Sequence, residues 1–220
     1  MNSNLGQTKN SELYSFAWQS LNGKWGICIG FIIVFQIISF FVALTLGQIL
    51  LSWLVMAPLT VGNALFFINV SRDENPQIDN MFKGFDSFGA SIGAYWLTVL
   101  IIIAGYLLLI IPGIIWAYQY SMVYYIIADD PKCGGNEALV RSREMMYGHK
   151  WKMFRFSLRA MGIVILCILT LGIGFLWGIP WIATAHAKFY DDIKPDSLES
   201  FVEPDEITTN QEIGSTHVRQ

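Results

Sequence analysis

The sequence predicts an all-α fold: a polytopic membrane helical bundle of six spans, built as three helical hairpins with short cytoplasmic amphipathic helices. Three observations predict it. Of the 220 residues, 54% are hydrophobic and only 14% are charged, against about 25% charged in an ordinary soluble domain. The charges leave three long windows empty: no Asp, Glu, Lys or Arg falls between Lys24 and Arg72, between Asp86 and Asp129, or between Arg159 and Lys188. Each window is broken near its middle by a turn signal: TLGQ at 45–48, IIPGII at 110–115 and TLGIG at 170–174.

A helix that crosses a bilayer takes about 20 apolar residues at a rise of 1.5 Å each. The first window therefore holds two spans, 25–45 and 48–70, and the second holds 89–110 and 113–128. The third is shorter than two full spans. It accommodates 151–170 and 174–188 if Arg155 and Arg159 snorkel toward the headgroups. Spans four and six are the short ones, and a tilted or re-entrant course stays open for both. Pro58, Pro112 and Pro180 are expected to kink or begin the second helix of each hairpin. Gly26/Gly30, Gly89/Gly93 and Gly174/Gly178 make GxxxG spacings that suit close helix packing, within the chain or in a homo-oligomer.

Orientation follows from charge. On this reading all 14 Lys/Arg and all 17 Asp/Glu lie on one side, and the hairpin tips carry none. The positive-inside rule makes that side cytoplasmic, with both termini there. Residues 1–24 form a cytoplasmic N-terminal segment with an amphipathic helix. They do not read as a signal peptide, because they are polar and no small-residue cleavage site follows. Residues 25–193 form the membrane domain. Residues 194–220 form an acidic, polar tail with no periodicity, expected to be disordered.

An internal repeat is visible. Glu12 precedes Gly23 in ELYSFAWQSLNGKW, Glu137 precedes Gly148 in EALVRSREMMYGHKW, and IDNMFKGFDSF carries Gly84 between them. Each hairpin also runs out into acids: SRDE at 71–74, ADDP at 128–131 and YDDI at 190–193. The unit reads as a short helix followed by a helical hairpin.

The stretch 142–154, SREMMYGHKWKMF, is the most distinctive polar segment. Residues 137–147 read as an interfacial helix with Asn136 as N-cap and Gly148 as its stop. Its apolar side faces lipid or the bundle. Arg141, Arg143, His149, Lys150, Trp151, Lys152, Arg155 and Arg159 then make a basic, aromatic surface. Such a surface serves as a positive-inside anchor or as a docking site for an anionic lipid or another membrane protein. No nucleic-acid recognition fold surrounds it.

Catalytic chemistry finds little support. No HExxH, GxSxG, Walker or GxGxxG pattern appears. The three cysteines, Cys28, Cys133 and Cys167, are scattered and read as isolated thiols, and the histidines have no metal-ligand spacing. His186 reads as an interfacial residue near a helix end. No cofactor is expected. Among neutral polar residues in the spans, Gln36, Asn63 and Gln119 are candidates to line a polar cavity, the alternative being interhelical hydrogen bonds.

The runs LLLIIPGIIWAYQYSMVYYIIADDP (107–131), NEALVRSREMMYGHKWKMF (136–154) and LTLGIGFLWGIPWIATAHAKFYDDI (169–193) resemble the domain-of-unknown-function 975 family of bacterial integral membrane proteins. APLTVGNALFFINVSRDE (57–74) and FKGF (82–85) fit its N-terminal half, so the resemblance covers about residues 11–193. The family is in turn distantly similar to the membrane region attached to some glycerophosphodiester phosphodiesterases, a region without catalytic residues. Trp181 departs from the family, which more often has Tyr after the proline. The resemblance implies a multi-pass protein of the bacterial cytoplasmic membrane with no established activity.

Two functions follow. The first is a non-catalytic membrane module that docks a protein partner or anionic lipid through its basic cytoplasmic face. The alternative is a small permease or efflux component with a polar cavity near the bilayer midplane.

Overall fold

The computed structural model describes residues 6–45, 49–108, 110–170 and 172–195; of the tail expected to be disordered, 194–220, residues 196–220 lie outside them. All secondary structure among the described residues is helical. The helices are α1 (Asn10–Ser20), α2 (Trp25–Thr45), α3 (Ile49–Ser71), α4 (Asn80–Lys83), α5 (Phe88–Leu108), α6 (Ile110–Gln119), α7 (Val123–Asp129), α8 (Gly135–Met145), α9 (Lys150–Leu169) and α10 (Phe175–Ile193).

Helices α2, α3 and α5 match the first three expected spans to within two residues. The fourth expected span, 113–128, is two helices instead. The break has a local cause. Ser121 Oγ donates to the Tyr118 carbonyl at 2.8 Å and competes with the ladder. Ser142 Oγ on α8 donates to the freed Gln119 carbonyl at 2.9 Å. The turn therefore leaves no orphaned acceptor at Gln119. Pro112 sits in the first turn of α6, where its missing amide has no intrahelical partner to lose.

The sixth expected span, 174–188, is longer in the structure. α10 continues to Ile193 and carries Lys188, Asp191 and Asp192 in its last turns. α9 likewise carries Lys150, Lys152, Arg155 and Arg159 in its first half. Among the described residues only Phe88–Gly105 is long and apolar enough to cross a bilayer alone. Helices α1 and α2 pass that test together, but across a bend of 96°.

Helix α8 begins at Gly135, two residues before the expected start, and no side-chain cap from Asn136 forms. It ends at Met145, two residues before the expected end at 147, with Met146 as its C-cap. Gly148 has φ +82° and Gly23, in the matching place after α1, has φ +80°. Left-handed backbone at these positions suits glycine and turns the chain from the short helix into the long one. The middle unit solves this differently. Gly84 has φ −62°, and its role is close approach: a Cβ there would lie 1.9 Å from the Pro58 carbonyl oxygen.

The short helices interlock the three units in a ring. α4 of the second unit packs on α3 of the first. α8 of the third packs on α5 and α7 of the second, and α1 of the first packs on α10 of the third. Backbones touch at these seams: a Cβ on Gly62 would meet the Met81 carbonyl oxygen at 2.1 Å, and one on Gly135 the Ala90 carbonyl oxygen at 2.8 Å. The GxxxG glycines contribute less than expected. An added Cβ at Gly26, Gly30, Gly89 or Gly93 meets nothing within 4 Å, whereas Gly174 and Gly178 do pack against Cys167 of α9.

The core lies where α2, α3, α7, α8 and α10 converge. Phe31, Phe66, Phe67, Met122, Met146 and Phe189 are fully buried there. Phe31 stacks on Phe66 with ring centroids 3.7 Å apart. His186 is half-buried, its ring lying between those of Tyr125 at 5.0 Å and Phe156 at 5.8 Å. All three cysteines are free and buried.

Candidate functional site

The acidic ends of α3, α7 and α10 meet. Arg72, one residue beyond α3, donates to Asp129 of α7 at 2.6 Å through Nη1. Through Nη2 it donates to Asp191 of α10 at 2.7 Å, and through Nε to the same oxygen at 3.1 Å. Lys194 pairs with Asp129, and the Tyr190 hydroxyl donates to it at 3.1 Å. Ser71 Oγ lies 3.2 Å from Asp191. Burial works to raise the Asp129 carboxyl, but the hydrogen bonds from Arg72 and Lys194 outweigh it and hold the group below its usual value. Burial opposes the Arg72 charge, and its two aspartates more than restore it. Burial first, and the neighbouring Asp129 charge second, push the Tyr190 phenol up.

The N-terminal segment is tied to the same end. Lys152 pairs with Asp192 and donates to the Gly6 carbonyl at 3.0 Å. Thr8 also donates to Asp192, and Asn10 Nδ2 donates to the Lys152 carbonyl at 2.9 Å. Trp181 Nε1 donates to the Tyr14 carbonyl at 2.9 Å. The His149 ring lies against Gly6, where a Cβ would meet it at 2.1 Å. Burial, aided by the Lys152 charge, holds His149 below the usual histidine value against the pull of Asp192.

Against this framework the eight basic and aromatic candidates divide. Arg141 pairs with Asp130 at 3.1 Å and with Glu137 at 2.5 Å, so its charge is neutralised. Lys152 is buried and committed to Asp192. His149 is half-buried against Gly6. Arg143, Arg155 and Arg159 are exposed, and no carboxylate among the described residues pairs with them. Trp151, 67% exposed, stacks on Phe154 with centroids 5.1 Å apart. Lys150 donates to Gln119 Oε1 at 3.0 Å.

That last bond marks a cavity of about 730 Å³ between α5, α6, α8 and α9. Leu100, Ile101, Ala104 and Trp116 form its apolar wall. Gln119, Tyr120, Arg143, Tyr147 and Lys150 form its polar wall, and no carboxylate among the described residues lines it. The structure does not bring Gln36, Asn63 and Gln119 together. Gln36 lies on the exposed side of α2 with Ile33 and Ile37, and Asn63 is half-buried on α3, away from this cavity.

Arg72, Asp129, Asp191 and Asp192 were not among the sequence candidates. Their signal was present in the repeated acids that close each hairpin, but nothing in the sequence tells which carboxylates share one arginine. Trp116, Tyr120 and Tyr147 were missed because the break at 120–122 that gathers them has no Gly or Pro.

No curated protein and no solved structure matches this chain. A family model described as a protein of unknown function (DUF975) matches residues 88–197. The stretches 57–74 and 82–85, expected to fit the family's N-terminal half, precede that match. From Phe88 through the close of α10, the matched region supplies the split α6–α7 turn, the basic start of α9 and the carboxylates held by Arg72, and on that match the chain belongs to the DUF975 family.

Proposed function

We propose that this is a six-span protein of the bacterial cytoplasmic membrane that acts as a non-catalytic module, docking anionic lipid headgroups through Arg143, Trp151, Arg155 and Arg159. Three hairpins, α2–α3, α5 with α6–α7, and α9–α10, would supply the spans. Support for the membrane comes from where apolar side chains are exposed. Phe40 and Phe41, Leu107, and Leu169 with Ile173 stand out near the three hairpin tips. Only 22% of the apolar window Phe88–Gly105 is buried, whereas the core helix of a soluble protein would be mostly covered. The charges gather at the opposite end.

One observation carries the docking reading. Arg141 and Lys152 are spent on internal ion pairs, while Arg143, Arg155 and Arg159 are exposed and have none among the described residues. Trp151 and Tyr147 are exposed beside them, the residue types that settle at headgroup level. Each cation near an anionic surface contributes about 1 kcal/mol.

The test is the anionic lipid retained per chain after gentle detergent extraction. The triple variant W151A/R155Q/R159Q should lose most of that lipid with its helical content unchanged. Equal retention would refute lipid docking. A stoichiometric protein that co-purifies and is lost with the same variant would instead make the face a protein-docking surface.

A further inference from the structure

We propose that the cavity between α5, α6, α8 and α9 is a discrete site for one anionic amphiphile, a phosphate- or carboxylate-headed lipid whose chain lies along α5. This deepens the docking reading and rests on its membrane placement. It differs in naming one open pocket lined by Arg143 and Lys150 where that reading names the outer face along α9.

The walls define the ligand. Arg143 and Lys150 bring two positive charges to one side, and no carboxylate among the described lining residues offsets them. Gln119, nearly buried, spends its carbonyl oxygen on Lys150, which leaves its amide N–H groups to donate. Tyr120 and Tyr147 add hydroxyls. A site furnished in this way with donors and cations favours an anion over a neutral or cationic head. The opposite wall, Leu100, Ile101, Ala104 and Trp116, offers no charged group and suits a hydrocarbon chain. A volume of about 730 Å³ falls within the roughly 300–1,000 Å³ of small-ligand sites.

The site is also built to stay in place. Ser142 holds the Gln119 carbonyl, fixing the end of α6 against α8. Neighbouring Arg141 is neutralised by Asp130 and Glu137, so the local field comes from Arg143 and Lys150.

The test uses the full-length protein, stripped of lipid in detergent and titrated in native mass spectrometry with phosphatidylglycerol, phosphatidylcholine or inorganic phosphate. The expected result is one phosphatidylglycerol per chain, bound about tenfold or more tightly than phosphatidylcholine. R143Q/K150Q should abolish that preference, and A104W should exclude both lipids. R155Q/R159Q should leave the single-lipid species intact while reducing the outer lipid, so the two readings fail separately. Should A104W lose helicity, R143Q alone decides, because Arg143 is exposed and its removal leaves packing unchanged. Equal affinity for the two lipids would overturn the proposal. So would complete displacement of phosphatidylglycerol by millimolar inorganic phosphate, which would reduce the cavity to a free-anion site.

Discussion

Arg72 and Asp129 are joined by a charge-assisted hydrogen bond of 2.6 Å across 57 residues of chain. The same guanidinium reaches Asp191, 119 residues away, at 2.7 Å. One arginine thus clamps the outgoing ends of all three hairpins. Its side chain is 29% exposed and that of Asp129 only 13%, so the pair is partly desolvated. Removing one member of such a pair leaves the other charge uncompensated. Arg72→Ala is expected to cost about 2 to 3 kcal/mol. Arg72→Lys should recover only part of that, because an ammonium cannot serve two carboxylates with a planar fork. Thermal unfolding in detergent reads both; an Ala variant as stable as wild type would show the clamp to be incidental.

The clamp also sets an acid limit. Asp129 sits below its usual value in the folded protein. A depressed carboxyl stabilises the fold fully above its unfolded value of about 4, and that contribution fades as pH falls toward the folded value. Stability should therefore drop on acidification below about pH 4. In Asp129→Asn the slope of that drop should be shallower. Parallel melting-temperature profiles for the two proteins would remove Asp129 as its source.

The cations make a paired prediction. Lys152→Met removes the partner of Asp192 and a bond to the Gly6 carbonyl. It should cost about 3 kcal/mol. Arg155→Gln, on the exposed side of the same helix, should fall within about 0.5 kcal/mol of wild type. Similar losses for both would erase the distinction on which the docking face rests.

Glycines give a second pair. A Cβ at Gly62 would stand 2.1 Å from the Met81 carbonyl oxygen, and one at Gly26 would meet nothing. Gly62→Ala is expected to cost about 2 kcal/mol or more by forcing α3 and α4 apart. Gly26→Ala should be neutral or stabilising by up to about 1 kcal/mol. Unfolding midpoints for the two variants check the ring of short helices directly.

Much of this fold was legible because apolar windows and turn signals are local. Helices α2, α3 and α5 begin and end where the charges and breaks place them. Gly148 turns the chain from α8 into α9 because the left-handed residue it supplies is a chain-local need. The break after Gln119 was not legible, because Ser142, 23 residues away, supplies the hydrogen bond that stabilises it. The candidate site was half legible. Basic and aromatic residues at 141–159 were visible as a cluster, but sorting them depends on where Asp130 and Asp192 fall in space. The GxxxG spacings misled for a related reason: close approach in this fold runs through Gly62, Gly84 and Gly135, which pack on carbonyls of neighbouring segments.

The central claim is that the hairpin tips and the charged ends lie on opposite sides of a membrane. Single reporter cysteines test it, placed at Leu107 and Ile173 near the tips and at Lys132 and Arg143 at the charged end. The native thiols are buried, and burial pushes that of Cys133, the one nearest the charged end, up to about 11, which keeps the background low. Labelling of intact cells with a membrane-impermeant maleimide should modify L107C and I173C. K132C and R143C should react only after the cells are opened. Labelling of all four positions from the same side would contradict the account.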